Sequence, residues 1–161
     1  MLRIGICDDE EYFLETISEI TAQYYIGKQV EYEICTYFDG IELINSHKKF
    51  DLLFLDIEMK VLNGIETAKK IRETDMNVPI IFITGYSQYW RRAYSVHAFH
   101  YIEKPIRAEQ IVQVLEDFWS MLQNEDEDKI LLITDDGMVS LKYSEIYYFY
   151  IEKKKRVSVH T

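Results

Sequence analysis

The stretch Phe50–Gly64, FDLLFLDIEMKVLNG, constrains this chain more than any other. Four consecutive apolar residues, Leu52-Leu53-Phe54-Leu55, lie between Asp51 and Asp56. A run this short does not suit a typical helix and predicts a strand buried on both faces, as in a parallel sheet. Such a strand delivers its last residue, Asp56, to the carboxyl edge, where open α/β folds place their chemistry. Asn63-Gly64 marks a loop, and Ile65, Ala68 and Ile71 then recur at helical spacing.

The flanking sequence repeats this alternation. Leu2–Cys7 predicts a first strand ending on Asp8-Asp9, followed by a helix carrying Phe13, Leu14, Ile17, Ile20 and Tyr24. Val30–Phe38 predicts a second strand, and Ile41, Leu43 and Ile44 a short helix. Pro79–Thr84 is a fourth buried run. Tyr89, Trp90, Ala93 and Tyr94 suggest a short helix, and Phe99–Ile102 a fifth strand. From Arg107, Ile111, Val114, Leu115, Phe118 and Leu122 mark an amphipathic helix. Five strands alternating with helices predict an α/β fold with a five-stranded doubly wound parallel sheet.

Composition narrows the function classes. The net charge is −10, with −8 on residues 1–123 and −2 on 124–161, so neither part has the basic footprint of a nucleic-acid binder. Cys7 and Cys35 end apolar runs and read as buried reduced thiols, which suits a cytoplasmic protein. No long apolar segment or cationic signal precedes the first strand, so a soluble protein without membrane attachment is expected.

In a parallel sheet all strand ends point to one edge, so Asp8-Asp9, Asp56, Thr84 and Lys104 converge despite their separation in sequence. Three carboxylates there repel one another and raise at least one pKa unless a cation sits among them. Oxygen donors without His or Cys favour Mg²⁺. A metal-held carboxylate beside a lysine and a hydroxyl suits phosphoryl acceptance: the cations neutralise the transferring group's oxygens and the carboxylate is the nucleophile.

With the motifs CDDE, LFLDIEM…NG, IIFITG and YIEKP, residues 1–122 resemble the response-regulator receiver domains of two-component signalling, a CheY-like, flavodoxin-like fold. The resemblance implies that Asp56 is the phosphoacceptor, served by a sensor histidine kinase, and that the chain is not a turnover enzyme. It implies Mg²⁺ as cofactor, with Asp9 and Asp56 as direct ligands, Asp8 acting through water, and the backbone carbonyl of Glu58 completing the set. Lys104 would pair with the phosphoryl group, Thr84 would hydrogen-bond it, and Tyr101 would be the aromatic switch. The Lys104-Pro105 bond is usually cis in this family. Glu58 and Tyr86 would flank the hydrolytic water and set the phosphate's lifetime, with bulky Tyr86 expected to shield it. Readout is expected on the face holding Tyr89, Trp90, Tyr94 and Tyr101. Many receivers carry Pro where this chain has Lys60, a change expected to loosen the loop without removing a chemical group. The alternative is a phosphohydrolase using an aspartyl-phosphate. Those enzymes place their nucleophile on the first strand as DxD, whereas here Asp8-Asp9-Glu10 stands there. A stand-alone receiver acting by protein contacts is a further alternative.

Residues 123–128 read as an acidic linker, after which the pattern is β only: Ile130–Thr134, Val139–Tyr143, Ile146–Ile151 and Arg156–His160. Asp136-Gly137 signals a hairpin, and Lys153-Lys154-Lys155 another turn. Residues 129–161 resemble the start of a LytTR-type DNA-binding domain, about 100 residues long when complete. This length of chain is therefore not expected to bind DNA specifically, and transcriptional output would need the complete domain. So short a sheet leaves strand edges unpaired. A homodimer through residues 129–161 is expected to cover them, with the chain's own receiver as the other candidate cover.

Overall fold

The computed structural model describes residues 1–85, 96–124, 129–134, 137–142, 148–152 and 156–160, with side chains over 1–85 and 96–123. The chain divides into two compact units, Met1–Phe118 and Trp119–Thr161.

In the first unit, strands β1 (Leu2–Cys7), β2 (Tyr32–Tyr37), β3 (Leu52–Asp56), β4 (Ile80–Thr84) and β5 (His100–Glu103) form one sheet. Every pairing is parallel and the order is β2-β1-β3-β4-β5. The order reverses between β1 and β3, and the crevice at the carboxyl ends of those two strands is where such folds bind ligands. Apolar runs form these strands because both faces are covered: all five residues of β3 and of β4 are buried. Leu52, Phe54, Phe82 and Ile80 are fully enclosed. Each such side chain contributes about 1.5–3 kcal/mol by leaving water.

The helices bury the expected apolar positions only in part: Phe13, Ile20, Tyr24, Ile44 and Ile71 are half-buried and Ile41 is exposed. In α1 (Glu11–Tyr25) Leu14, Ile17, Thr21 and Tyr25 are buried. Helix α2 (Gly40–Asn45) starts at Asp39, whose side chain accepts from the backbone N–H groups of Ile41 and Glu42. Helix α3 (Gly64–Arg72) starts at Asn63, which accepts from Glu66 N–H at 2.9 Å. Helix α4 (Ala108–Asn124) buries Ile111, Val114, Leu115 and Phe118. The helical turns thus run through Asn124, two residues past the expected boundary at 122, because a solvated last turn needs no apolar residue. Residues 125–128 of the expected linker, and the Tyr89–Tyr94 helix, lie outside the described residues.

Two strand boundaries shift for reasons of pairing. Strand β2 is shorter than Val30–Phe38 because it pairs only with β1, from Leu2↔Tyr32 to Cys7↔Tyr37, and Phe38 beyond it is exposed. Strand β5 starts at His100, where its register with Ile81 begins. In the second unit, β6 (Lys129–Thr134) and β7 (Gly137–Lys142) form one antiparallel hairpin, and β8 (Tyr148–Glu152) and β9 (Arg156–His160) another. Each pair is a two-stranded sheet. Gly137 belongs to a strand, opposite Thr134, rather than to the turn.

Candidate phosphoryl and metal site

The carboxyl edge at the β1/β3 crevice gathers Asp8 and Asp9 from the end of β1, Asp56 from β3, Thr84 from β4 and Lys104 from just after β5. Asp8 and Asp56 are buried at 1% and 3% exposure, and Thr84 is fully enclosed. One carboxylate oxygen from each of Asp8, Asp9 and Asp56 lies within 4.8 Å of the others. Local structure sets this geometry. Asp8 accepts from Glu10 N–H at 2.9 Å, turning the chain into α1.

After Asp56 the loop folds back so that Gly64 N–H donates to Ile57 C=O at 3.0 Å. A Cβ at Gly64 would lie 2.1 Å from the Asp56 carbonyl oxygen, so only glycine permits this approach. Ile57 and Met59 are buried, and the Cys7 thiol donates to Met59 Sδ at 3.4 Å. Glu58 and Lys60, between and beyond these anchors, are exposed.

Lys104, only 13% exposed along its side chain, donates to Asp8 at 2.9 Å and lies 3.4 Å from Asp56 Oδ1 and 3.7 Å from Glu10. Its ammonium also sits 3.7 Å from the centroid of the Phe13 ring. The backbone supports this placement, because Lys104 N–H donates to Thr84 C=O at 2.8 Å. The Lys104-Pro105 peptide bond is cis, as the receiver resemblance implied. Tyr101 is half-buried on β5 against the core, and burial pushes its hydroxyl pKa up.

Burial, then the charge of Asp8, pushes the Asp56 carboxyl up to about 7, although Lys104 pulls the other way. Burial likewise raises Asp8, against its hydrogen bond from Lys104. Two lysines, Lys60 and Lys104, face four carboxylates, those of Asp8, Asp9, Glu10 and Asp56. The cluster is therefore short of positive charge. Asp56 Oδ1 is buried and meets the Lys104 ammonium at 3.4 Å without accepting a well-formed hydrogen bond, so a further cation or donor there lowers its free energy. An all-oxygen donor set with this charge deficit fits a Mg²⁺ ion.

The structure thus brings together Asp8, Asp9, Asp56, Thr84 and Lys104 as expected. Tyr86 lies outside the described residues, as do Tyr89, Trp90 and Tyr94. Three contributors escaped sequence reasoning. Phe13 read as a core position of α1, yet its ring backs Lys104; its place one turn into the helix after Asp8-Asp9 was the available signal. Glu10 carries no site role in the sequence pattern beyond its place in the Asp8-Asp9-Glu10 run, whereas its carboxylate lies 3.7 Å from Lys104. Lys60 read as a loosened loop, whereas its Nζ lies 3.1 Å from Asp9 Oδ2.

The family model described as "Response regulator receiver domain" matches residues 4–116. Sensory transduction protein LytT of Bacillus anthracis is 33% identical over 136 residues, covering 80% of this chain and 52% of that protein. Transcriptional regulatory protein YpdB of Escherichia coli K12 is 27% identical, covering 91% of this chain and 64% of that protein. The chain therefore spans about half to two thirds of the length of these curated relatives. Among solved structures, response regulator TrrA of Thermotoga maritima in complex with Mg(2+)-BeF is 30% identical, with a TM-score of 0.63, covering 73% of this chain and 99% of that one.

Proposed function

Since the chain belongs to the response regulator receiver domain family, we propose that it is a phosphorylation-driven signalling switch whose phosphoacceptor is Asp56. The observation that carries this reading is the buried Asp56 Oδ1 at the sheet's switch point, 3.4 Å from Lys104 and without a well-formed hydrogen bond. Asp56 Oδ1 forms the new O–P bond as the donor's P–N bond breaks, the donor imidazole of a sensor histidine kinase taking the electron pair. Lys104, already held by Asp8 and Phe13, neutralises oxygens of the arriving group, and the Thr84 hydroxyl donates to one of them. Asp9, Asp56 and the Glu58 carbonyl would hold Mg²⁺ directly, and Asp8 through water. When bound, the ion neutralises phosphoryl oxygens and the crowded carboxylates. The bound complex of the Thermotoga maritima relative, Mg(2+)-BeF, supports the same ligand chemistry here.

The aspartyl phosphate carries about −1.5 to −2 where the free carboxylate carried a single negative charge, and this change draws Thr84 and Lys104 inward, with Tyr101 following Thr84 as the switch. Glu58 and Tyr86 set how long the phosphate lasts. The protein is a stoichiometric acceptor rather than a turnover enzyme. No helix among the described residues is long and apolar enough to cross a membrane, and the reading places the switch in the cytoplasm. Residues 1–122 form the receiver and 129–161 begin a LytTR-like β domain. Transcriptional output, supported by the name of the YpdB relative, belongs to a protein with that domain complete, and specific DNA binding requires the completed domain.

Phosphoramidate with and without chelator tests the proposal by intact mass. One phosphoryl group per chain is expected with Mg²⁺ and almost none without it. Metal-independent labelling would overturn it.

A further inference from the structure

Lys60 is held near the site by its backbone and by little else. The buried side chains of Ile57 and Met59 pin the loop that carries it, while its own side chain is 86% exposed and reaches Asp9 Oδ2 at 3.1 Å. Asp9 is far better sheltered, at 17%, so its charge is only partly screened and a cation beside it is felt. Lys104 differs from Lys60: it is enclosed, and Asp8 and the Phe13 ring hold it in place. An exposed lysine pair is weak and cheap to open, so Lys60 is the cation that can leave.

We propose that Lys60 is a tethered competitor of the divalent cation at Asp9 and sets this chain's Mg²⁺ affinity. The inference rests on the metal reading given under Proposed function. For Asp9 to coordinate an ion, Nζ must withdraw from the carboxylate. Once displaced, the ammonium stays on the short loop within several ångströms of a double positive charge and repels it. The penalty is electrostatic and partly exposed to solvent, so it amounts to about three- to tenfold in the dissociation constant at low ionic strength, and it shrinks as salt is raised. In the metal-free protein the same lysine relieves repulsion among the carboxylates, which makes the empty cluster tolerable. Lys60 thus tunes how much free Mg²⁺ the switch needs before it accepts phosphate.

Calorimetric titration of Mg²⁺ into the unphosphorylated full chain tests this without any phosphoryl chemistry. The proteins compared are the wild type, Lys60→Met, Lys60→Arg and Lys49→Met, at low and at raised ionic strength. Lys49 is exposed and lies ahead of β3, at the opposite edge of the sheet, so it controls for net charge. Lys60→Met is expected to bind Mg²⁺ about three- to tenfold more tightly at low salt, with the gap narrowing at high salt. Lys60→Arg should stay within about twofold of the wild type, and Lys49→Met should match it. Equal or weaker binding by Lys60→Met overturns the inference, as does equal tightening by Lys49→Met. Failure of both wild type and Lys60→Met to bind Mg²⁺ overturns the metal reading and the inference together. Binding with an unchanged ratio overturns the inference alone.

Discussion

Gly64 shows how a single atom governs the site. Its Cα lies so close to the Asp56 carbonyl that an added Cβ would stand 2.1 Å from the oxygen and 2.9 Å from the carbon. Both are backbone atoms, which cannot swing aside as a side-chain tip can. Gly64→Ala is therefore expected to push the loop off β3, costing about 1–3 kcal/mol in urea unfolding. It should also weaken Mg²⁺ binding several-fold, because Asp56 and Glu58 move with the loop. A variant of wild-type stability and affinity would show that the loop's approach does not support the site. The residue types at the strand ends were legible from sequence because parallel strands must deliver their last residues to one edge. The partners of Lys104 were not, because a cation over the Phe13 ring leaves no trace in apolar spacing.

At the scale of elements, the edge strand β2 is clamped to its neighbours by charge. Glu33 accepts from Arg3 of β1 at 2.8 Å and from Lys48 at 3.0 Å. The Arg3 hydrogen bond, then that of Lys48, holds the Glu33 carboxyl down from 4.5 to about 2. A depressed carboxylate stabilises the fold above its unfolded pKa, and that contribution is lost as pH falls through the folded value. Glu33→Gln should thus be less stable than the wild type near neutral pH. The difference should close as pH falls from 4.5 towards about 2, as followed by urea unfolding across that range. A gap that persists at the acid end would assign the effect to packing instead. The central strands were readable because burial on both faces writes an unbroken apolar run. Edge and boundary residues were less so, since pairing partners rather than composition decide where β2 and β5 stop. Arg72 belongs to that unreadable class: buried at the end of α3, it donates to the carbonyls of Val96 at 3.0 Å and His97 at 3.2 Å. It ties together segments whose proximity only the fold reveals.

For the whole molecule, the two units pose different problems. The first encloses a core large enough to stand alone. The second shows two hairpins, each a two-stranded sheet, and an isolated two-stranded sheet is marginal in water. Pairing with the same segment of a second chain is one economical way to cover such edges. Light scattering on the full chain and on a version ending at Gln123 should then find a dimer and a monomer respectively. A monomeric full chain, or an equally dimeric shorter one, would remove residues 129–161 from that role. The alternating α/β pattern of the first unit could be read from sequence because its helices and strands carry distinct periods. The pairing of the β-only segment into two hairpins could be read only at its turns.

The central claim is that one carboxylate on β3 receives the phosphoryl group. The most direct measurement is intact mass followed by peptide mapping after incubation with acetyl phosphate and Mg²⁺, for the wild type and Asp56→Asn. The account predicts about one labile phosphoryl group per wild-type chain, mapped to the peptide containing Asp56, and almost none on the variant. Equal labelling of the two proteins would contradict it.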